Sequence, residues 1–151
     1  ISTYSKWWKI KNSTFILLFF LCACGSGEMK EKQNLNTLLQ EITKKDIQKD
    51  LKAYILIPNA GCSGCISSAE QFMFDNVDKL QNIQFILTGI TSKKLYKNRF
   101  GVLLQNSKIL SDYKNIAGSL DLHTIYPKIF HLKNGQISHI AEASHEAKGD
   151  V

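Results

Sequence analysis

The chain has 151 residues, 44% of them hydrophobic and 21% charged, ordinary values for one globular domain. It carries 19 Lys+Arg against 13 Asp+Glu, a formal net charge of +6. All 13 acids follow residue 24 and three of the lysines precede it, which leaves 16 against 13 and a net +3, too little to argue for nucleic acid as a partner.

The first residues read as an export signal. Residues 1–14 contain Lys6, Lys9 and Lys11 and no acid, and Phe15 to Leu21 form an unbroken run of seven apolar residues. A helix needs roughly 20 apolar residues to span ~30 Å of hydrocarbon, so this run is a signal-peptide core and not a membrane span. Leu21-Cys22-Ala23-Cys24 resembles the lipobox of bacterial lipoproteins. The resemblance implies cleavage between Ala23 and Cys24 and a lipid on Cys24; Cys22, with bulky Leu21 before it, matches less well. It further implies a place in the bacterial cell envelope, with the domain in the periplasm or at the cell surface. Two or more acyl chains would make such an anchor stable.

After the signal (residues 1–23), the small and charged composition of 24–33 predicts a flexible tether, and 34–151 form the domain. Leu35, Leu38, Leu39 and Ile42 recur at helical spacing and predict a helix over 34–50. Residues 53–57 are apolar without alternation, the pattern of a strand buried on both faces. Pro58 ends that strand, and Asn59-Ala60-Gly61 makes a loop. A helix over 63–80, a strand over 83–87, a helix over 92–104, a short strand over 108–110 and a short helix near 116–120 follow. Residues 125–132 and 136–141 read as strands joined through Asn134-Gly135, a strong hairpin signal. The polar tail from Ser144 reads as frayed. Strands alternating with helices predict an α/β sandwich with a parallel centre, helices on both faces and an antiparallel hairpin at one edge.

Gly61-Cys62-Ser63-Gly64-Cys65 lies between a buried strand and a helix. A sulfur at a helix N-terminus meets unsatisfied backbone N–H groups and the positive end of the helix dipole, which favour thiolate over thiol. Cleavage and acylation would leave Cys62 and Cys65 as the only free pair, able to oxidise in an exported protein. Cys62, in the loop, is the candidate nucleophile; Cys65, in the first turn, is the candidate resolving thiol. Ser63 and Gly64 are small and allow a partner close approach. A bridge across so short a loop restricts the unfolded chain little, which argues for a redox role over a structural one.

Together with Ile125-Tyr126-Pro127 some 60 residues later and the hairpin after it, this motif resembles the thioredoxin superfamily, in its membrane-tethered TlpA-type branch. The likeness covers residues 50–142. It implies a thioredoxin-like three-layer sandwich and a thiol–disulfide oxidoreductase that needs no cofactor and acts on protein thiols or disulfides of the cell envelope. It assigns Cys62, Cys65 and Pro127 to the catalytic site, with Pro127 after a cis peptide bond beside the disulfide. Tyr126, Gly61, Ser63 and Gly64 would line the substrate. The sequence departs from the family at Leu56, where many members carry a buried acid; Glu70 or water would have to serve instead. No Trp or Pro stands beside Cys62, and a C-terminal helix is missing or very short.

Two other readings stand beside this one. His123, His131, His139 and His145 all fall in the last thirty residues. One of them could join the two thiolates around Cu(I), making the domain a metal carrier or a non-catalytic binding module. The hairpin histidines otherwise read as surface positions, the cysteine spacing is short for a carrier, and no metal site is assigned. A peroxidase is disfavoured because Pro58-Asn59-Ala60-Gly61, just before Cys62, contains no Thr and Arg99 is the only arginine. Lys93, Lys94, Lys97 and Arg99 read as the solvated face of the third helix.

Overall fold

The computed structural model describes residues 26–122 and 124–143. The signal segment, Cys24, His123 and the tail from Ser144 lie outside the described residues. The elements in chain order are α1 (Ser26–Thr43), β1 (Ala53–Pro58), α2 (Ser63–Asn76), β2 (Ile83–Thr88), α3 (Lys93–Phe100), a 3-10 turn (Gly101–Gln105), β3 (Ile109–Ser111), α4 (Ile116–Ser119), β4 (Lys128–Lys133) and β5 (Gln136–Glu142).

The five strands form one mixed sheet in the order β3-β2-β1-β4-β5. β1 is central and every one of its six residues is buried, as its unbroken apolar run predicts. It pairs parallel with β2 (Ile55 opposite Phe85) and antiparallel with β4 (Leu56 opposite Lys128). Alternate residues of the sheet feed two cores. Tyr54, Leu56, Ile86 and Phe130 pack with Leu35, Leu38 and Leu39 of α1 and Ala117 of α4. Ile55, Ile57, Phe85 and Leu87 pack with Ile66 and Met73 of α2 and Tyr96 and Phe100 of α3. Each fully buried side chain of this size contributes about 1.5–3 kcal/mol, so both faces of the sheet need their helices. The result is an α/β fold with helices on both faces.

Several boundaries differ from the sequence reading, each for a visible reason. α1 starts at Ser26, so most of the expected tether is helix, and the helix stops at Thr43 instead of residue 50. Glu28 opens it favourably at the dipole's positive end and pairs with Lys32 one turn on at 3.0 Å. Lys44 takes a left-handed φ of 60° and closes it, its N–H donating to the Gln40 carbonyl at 3.0 Å. α2 ends at Asn76, short of residue 80. The third helix breaks at Gly101, φ 55°, into the 3-10 turn. The hairpin is as expected: Asn134 and Gly135 have φ of 55° and 75°, the two left-handed residues of a type I′ turn. Among the described residues no helix is long and apolar enough to cross a membrane.

Candidate functional site: the Cys62–Cys65 disulfide

Cys62 and Cys65 form a disulfide with their Cα atoms 5.3 Å apart. β1 delivers the chain to this point, and the loop after Pro58 turns into α2 with Cys62 as its N-cap. Cys62 has an extended backbone, and its sulfur accepts from the Cys65 N–H at 3.4 Å. An N-cap side chain normally supplies an oxygen there; here a sulfur takes the place. The same N–H, with the helix dipole behind it, would hold a thiolate on Cys62 once the bridge is reduced. Cys62 is half-buried, Gly61, Ser63 and Gly64 are exposed, and Cys65 is buried at 8% exposure. Cys62 is thus the more accessible of the two residues.

The stretch before β4 meets the motif, but through Ile125. The Cys62 N–H donates to the Ile125 carbonyl at 2.8 Å. Gly61 has φ 141°, and a Cβ there would stand 2.6 Å from the Ile125 Cα and 2.8 Å from its carbonyl carbon. No other residue type fits that conformation and that approach. Gly61, expected to line a substrate, is therefore first a seat for the backbone of Ile125. Sequence reasoning missed Ile125; a glycine directly before the motif was the signal for it.

Pro127 is buried and lies just before β4, two residues past this contact, and its carbonyl accepts from the Ala143 N–H at 2.9 Å. The expected cis bond is corrected: among the described residues no peptide bond is cis. The trans form of an X–Pro bond is favoured by about 0.5–1 kcal/mol, and with the Ile125 carbonyl already bound to Cys62 the chain enters β4 without the turn that a cis bond supplies. The same contact explains why 125–127 are not strand, as β4 starts at Lys128. Tyr126 is half-buried and its N–H donates to the Thr124 hydroxyl at 3.1 Å.

Glu70 does not replace the missing acid at Leu56. It is buried on α2, five residues past Cys65, and so turned about 140° around the helix. Its carboxylate is tied to the Arg99 guanidinium on α3. Burial raises its pKa, and the charge and hydrogen bond of Arg99 offset part of that rise. Tyr96 beside this pair is also buried, and its phenol is pushed well up, chiefly by desolvation and then by Glu70. Arg99 is thereby a link between α2 and α3, while Lys93, Lys94 and Lys97 are exposed as expected.

The hairpin histidines stand at the other end of the sheet. His131 faces His139 across β4 and β5, rings stacked with centroids 5.7 Å apart, and both are exposed. His131 is also level with Ala53, the first residue of β1, whereas the disulfide follows its last residue, Pro58. Five strand steps at about 3.3 Å each separate those levels by roughly 16 Å. Neither histidine can complete a metal site on the cysteines, and no group of three or more metal-binding side chains occurs among the described residues.

On the sheet's α1 face the structure adds a feature that the sequence did not suggest. Lys128 is buried, and its ammonium meets Glu31 of α1 at 3.2 Å and Glu142 of β5 at 3.4 Å. Asp112, fully buried, caps α4 by accepting from the N–H groups of Ile116 (2.9 Å) and Ala117 (2.8 Å). Compared with known protein families, with curated proteins and with solved structures, the chain matches none.

Proposed function

We propose that this chain is a thioredoxin-like thiol–disulfide oxidoreductase, held at the outer face of a bacterial membrane by a lipid on Cys24. The observation that carries the reading is the Cys62–Cys65 disulfide at the start of α2, with half-buried Cys62 as the N-cap whose sulfur accepts from the Cys65 N–H. In the reduced protein the Cys62 thiolate attacks a partner disulfide. One S–S bond breaks, a mixed disulfide forms, and the partner's other sulfur leaves as thiolate. Cys65 then attacks Cys62, closing the intramolecular bridge and releasing the reduced partner. Oxidation of a partner dithiol runs through the same steps in reverse. Strand order β3-β2-β1-β4-β5, with β4 antiparallel to β1 and a hairpin at the edge, supports the thioredoxin likeness. Tyr126, next in the chain after the Ile125 carbonyl that binds Cys62, is the residue whose backbone we assign to an extended substrate.

A copper-carrier reading finds no support in the positions of His131 and His139. Turnover of a peptide disulfide by the reduced chain tests the proposal. We expect Cys62→Ser to abolish it and Cys65→Ser to stall it as a mixed disulfide; turnover unchanged in Cys62→Ser would refute the redox reading.

A further inference from the structure

We infer that the disulfide is held at the bilayer surface that carries the anchor, so that its exchange partners are membrane proteins presenting a cysteine at that surface. The inference rests on the lipid-anchored oxidoreductase reading above and adds to it a place and a partner class.

Its basis is the position of α1. The chain is already helical at Ser26, and the two residues of chain back to Cys24 span at most about 7 Å. Its first turns are fastened to one stretch of chain. Lys30 pairs with Asp121 at 3.1 Å, the Asn34 amide donates to the Leu120 carbonyl, and Glu31 meets Lys128 at 3.2 Å. Within that same stretch, Ile125 accepts the hydrogen bond of Cys62. α1 then runs about 27 Å away. The chain that follows it brings Lys49 under the hairpin turn, its Cα 3.3 Å from where a Cβ on Gly135 would stand. The first turn of α1 and the disulfide therefore occupy one end of the sheet, and the hairpin turn occupies the other. A free tether of ten residues would have let the domain turn over; a chain already helical at Ser26, two residues after the proposed anchor, leaves far less slack.

The surface at this end suits a bilayer. Met29 and Ile125 are 62% and 54% exposed. Lys93 and Lys94 at the start of α3, and Lys114 after β3, are exposed, and none has a carboxylate partner within 4.0 Å among the described residues. The neighbouring acids Glu28 and Asp121 are engaged by Lys32 and Lys30. Exposed lysines and exposed apolar side chains at one end of a domain favour anionic headgroups.

The test uses the full chain with Cys65→Ser, made in a bacterium that acylates exported proteins and reconstituted in vesicles containing anionic lipid. The mass of its N-terminal peptide reports acylation of Cys24. The rate of mixed-disulfide formation at Cys62 is then measured with one aryl disulfide presented in two ways, on a phospholipid headgroup and on a soluble carrier protein. Each rate is scaled to its value in detergent. We expect the lipid-borne probe to react roughly tenfold faster or more. Inserting about twenty Gly/Ser residues between Gly25 and Ser26, a coil of about 25 Å, should reduce that preference severalfold. Equal scaled rates in an acylated chain would overturn the orientation while leaving the anchor intact. An unacylated Cys24 would overturn the anchor and the orientation with it. Failure of Cys62 to react even with the free aryl disulfide would overturn the redox reading.

Discussion

The first turns of the two long helices are held in different ways. α2 starts where its own sequence says it must: a strand ends, Gly61 turns the chain, and the sulfur of Cys62 caps the first turn. The first described turns of α1 are instead held by distant residues. Glu31, Asn34 and Lys30 each reach across the sequence to the 120–128 stretch. Nothing in the small, charged composition of residues 24–33 announces a helix. The first turn of α2 carries a cap from its own sequence, whereas the first described turns of α1 are tied to the 120–128 stretch, and substitutions should separate the two.

The largest effect should come at Gly61. Gly61→Ala places a Cβ into the Ile125 backbone at φ 141°. We expect a loss of about 2–4 kcal/mol, measured by urea denaturation, together with slower exchange at Cys62 because its N–H loses the Ile125 carbonyl. Next comes the tie on α1. Lys128→Ala removes the ammonium shared by Glu31 and Glu142 and opens a gap in a buried site, costing about 2–4 kcal/mol. Hydrogen exchange should rise in the first half of α1 and stay unchanged in the first turn of α2. Equal rises in both would break the contrast between a local cap and a tertiary tie.

Glu70 gives a pH signature. Its folded pKa is raised by burial above the ordinary carboxylate value of 4.5, with Arg99 opposing the rise. The folded state therefore keeps this proton at a pH where the unfolded chain has released it. Relative to Glu70→Gln, the native protein should lose stability as pH climbs from about 4.5 through the folded pKa and change no further above it. Parallel urea midpoints across that range check the sign; a native protein that gains on Glu70→Gln over the same window would reverse it. The smallest effect should be Lys30→Ala, because its pair with Asp121 is 64% and 80% exposed. We expect about 0–1 kcal/mol, within reach of the same denaturation assay.

Much of the fold was legible in periodicity. The Leu35, Leu38 and Leu39 face, the fully buried β1 and the Asn134-Gly135 turn all follow from local pattern. So did the paired cysteines and their difference in burial, because a strand–loop–helix junction exposes one residue and shelters the next. Pattern fell short where backbone from two distant segments meets. The Ile125 carbonyl at Cys62 has no signature beyond one glycine, and the trans bond before Pro127 follows from how the chain enters β4. Buried charges were also hidden, since Lys128 and Glu70 look like surface residues until their partners are placed.

On the proposed redox function Cys62 and Cys65 differ in kind, one poised to react and the other sheltered. Alkylation of the fully reduced full chain by iodoacetamide at neutral pH, with each site quantified by peptide mass, measures that difference directly. We predict that Cys62 reacts roughly ten times faster than Cys65 or more. Equal rates, or a faster Cys65, would contradict the account.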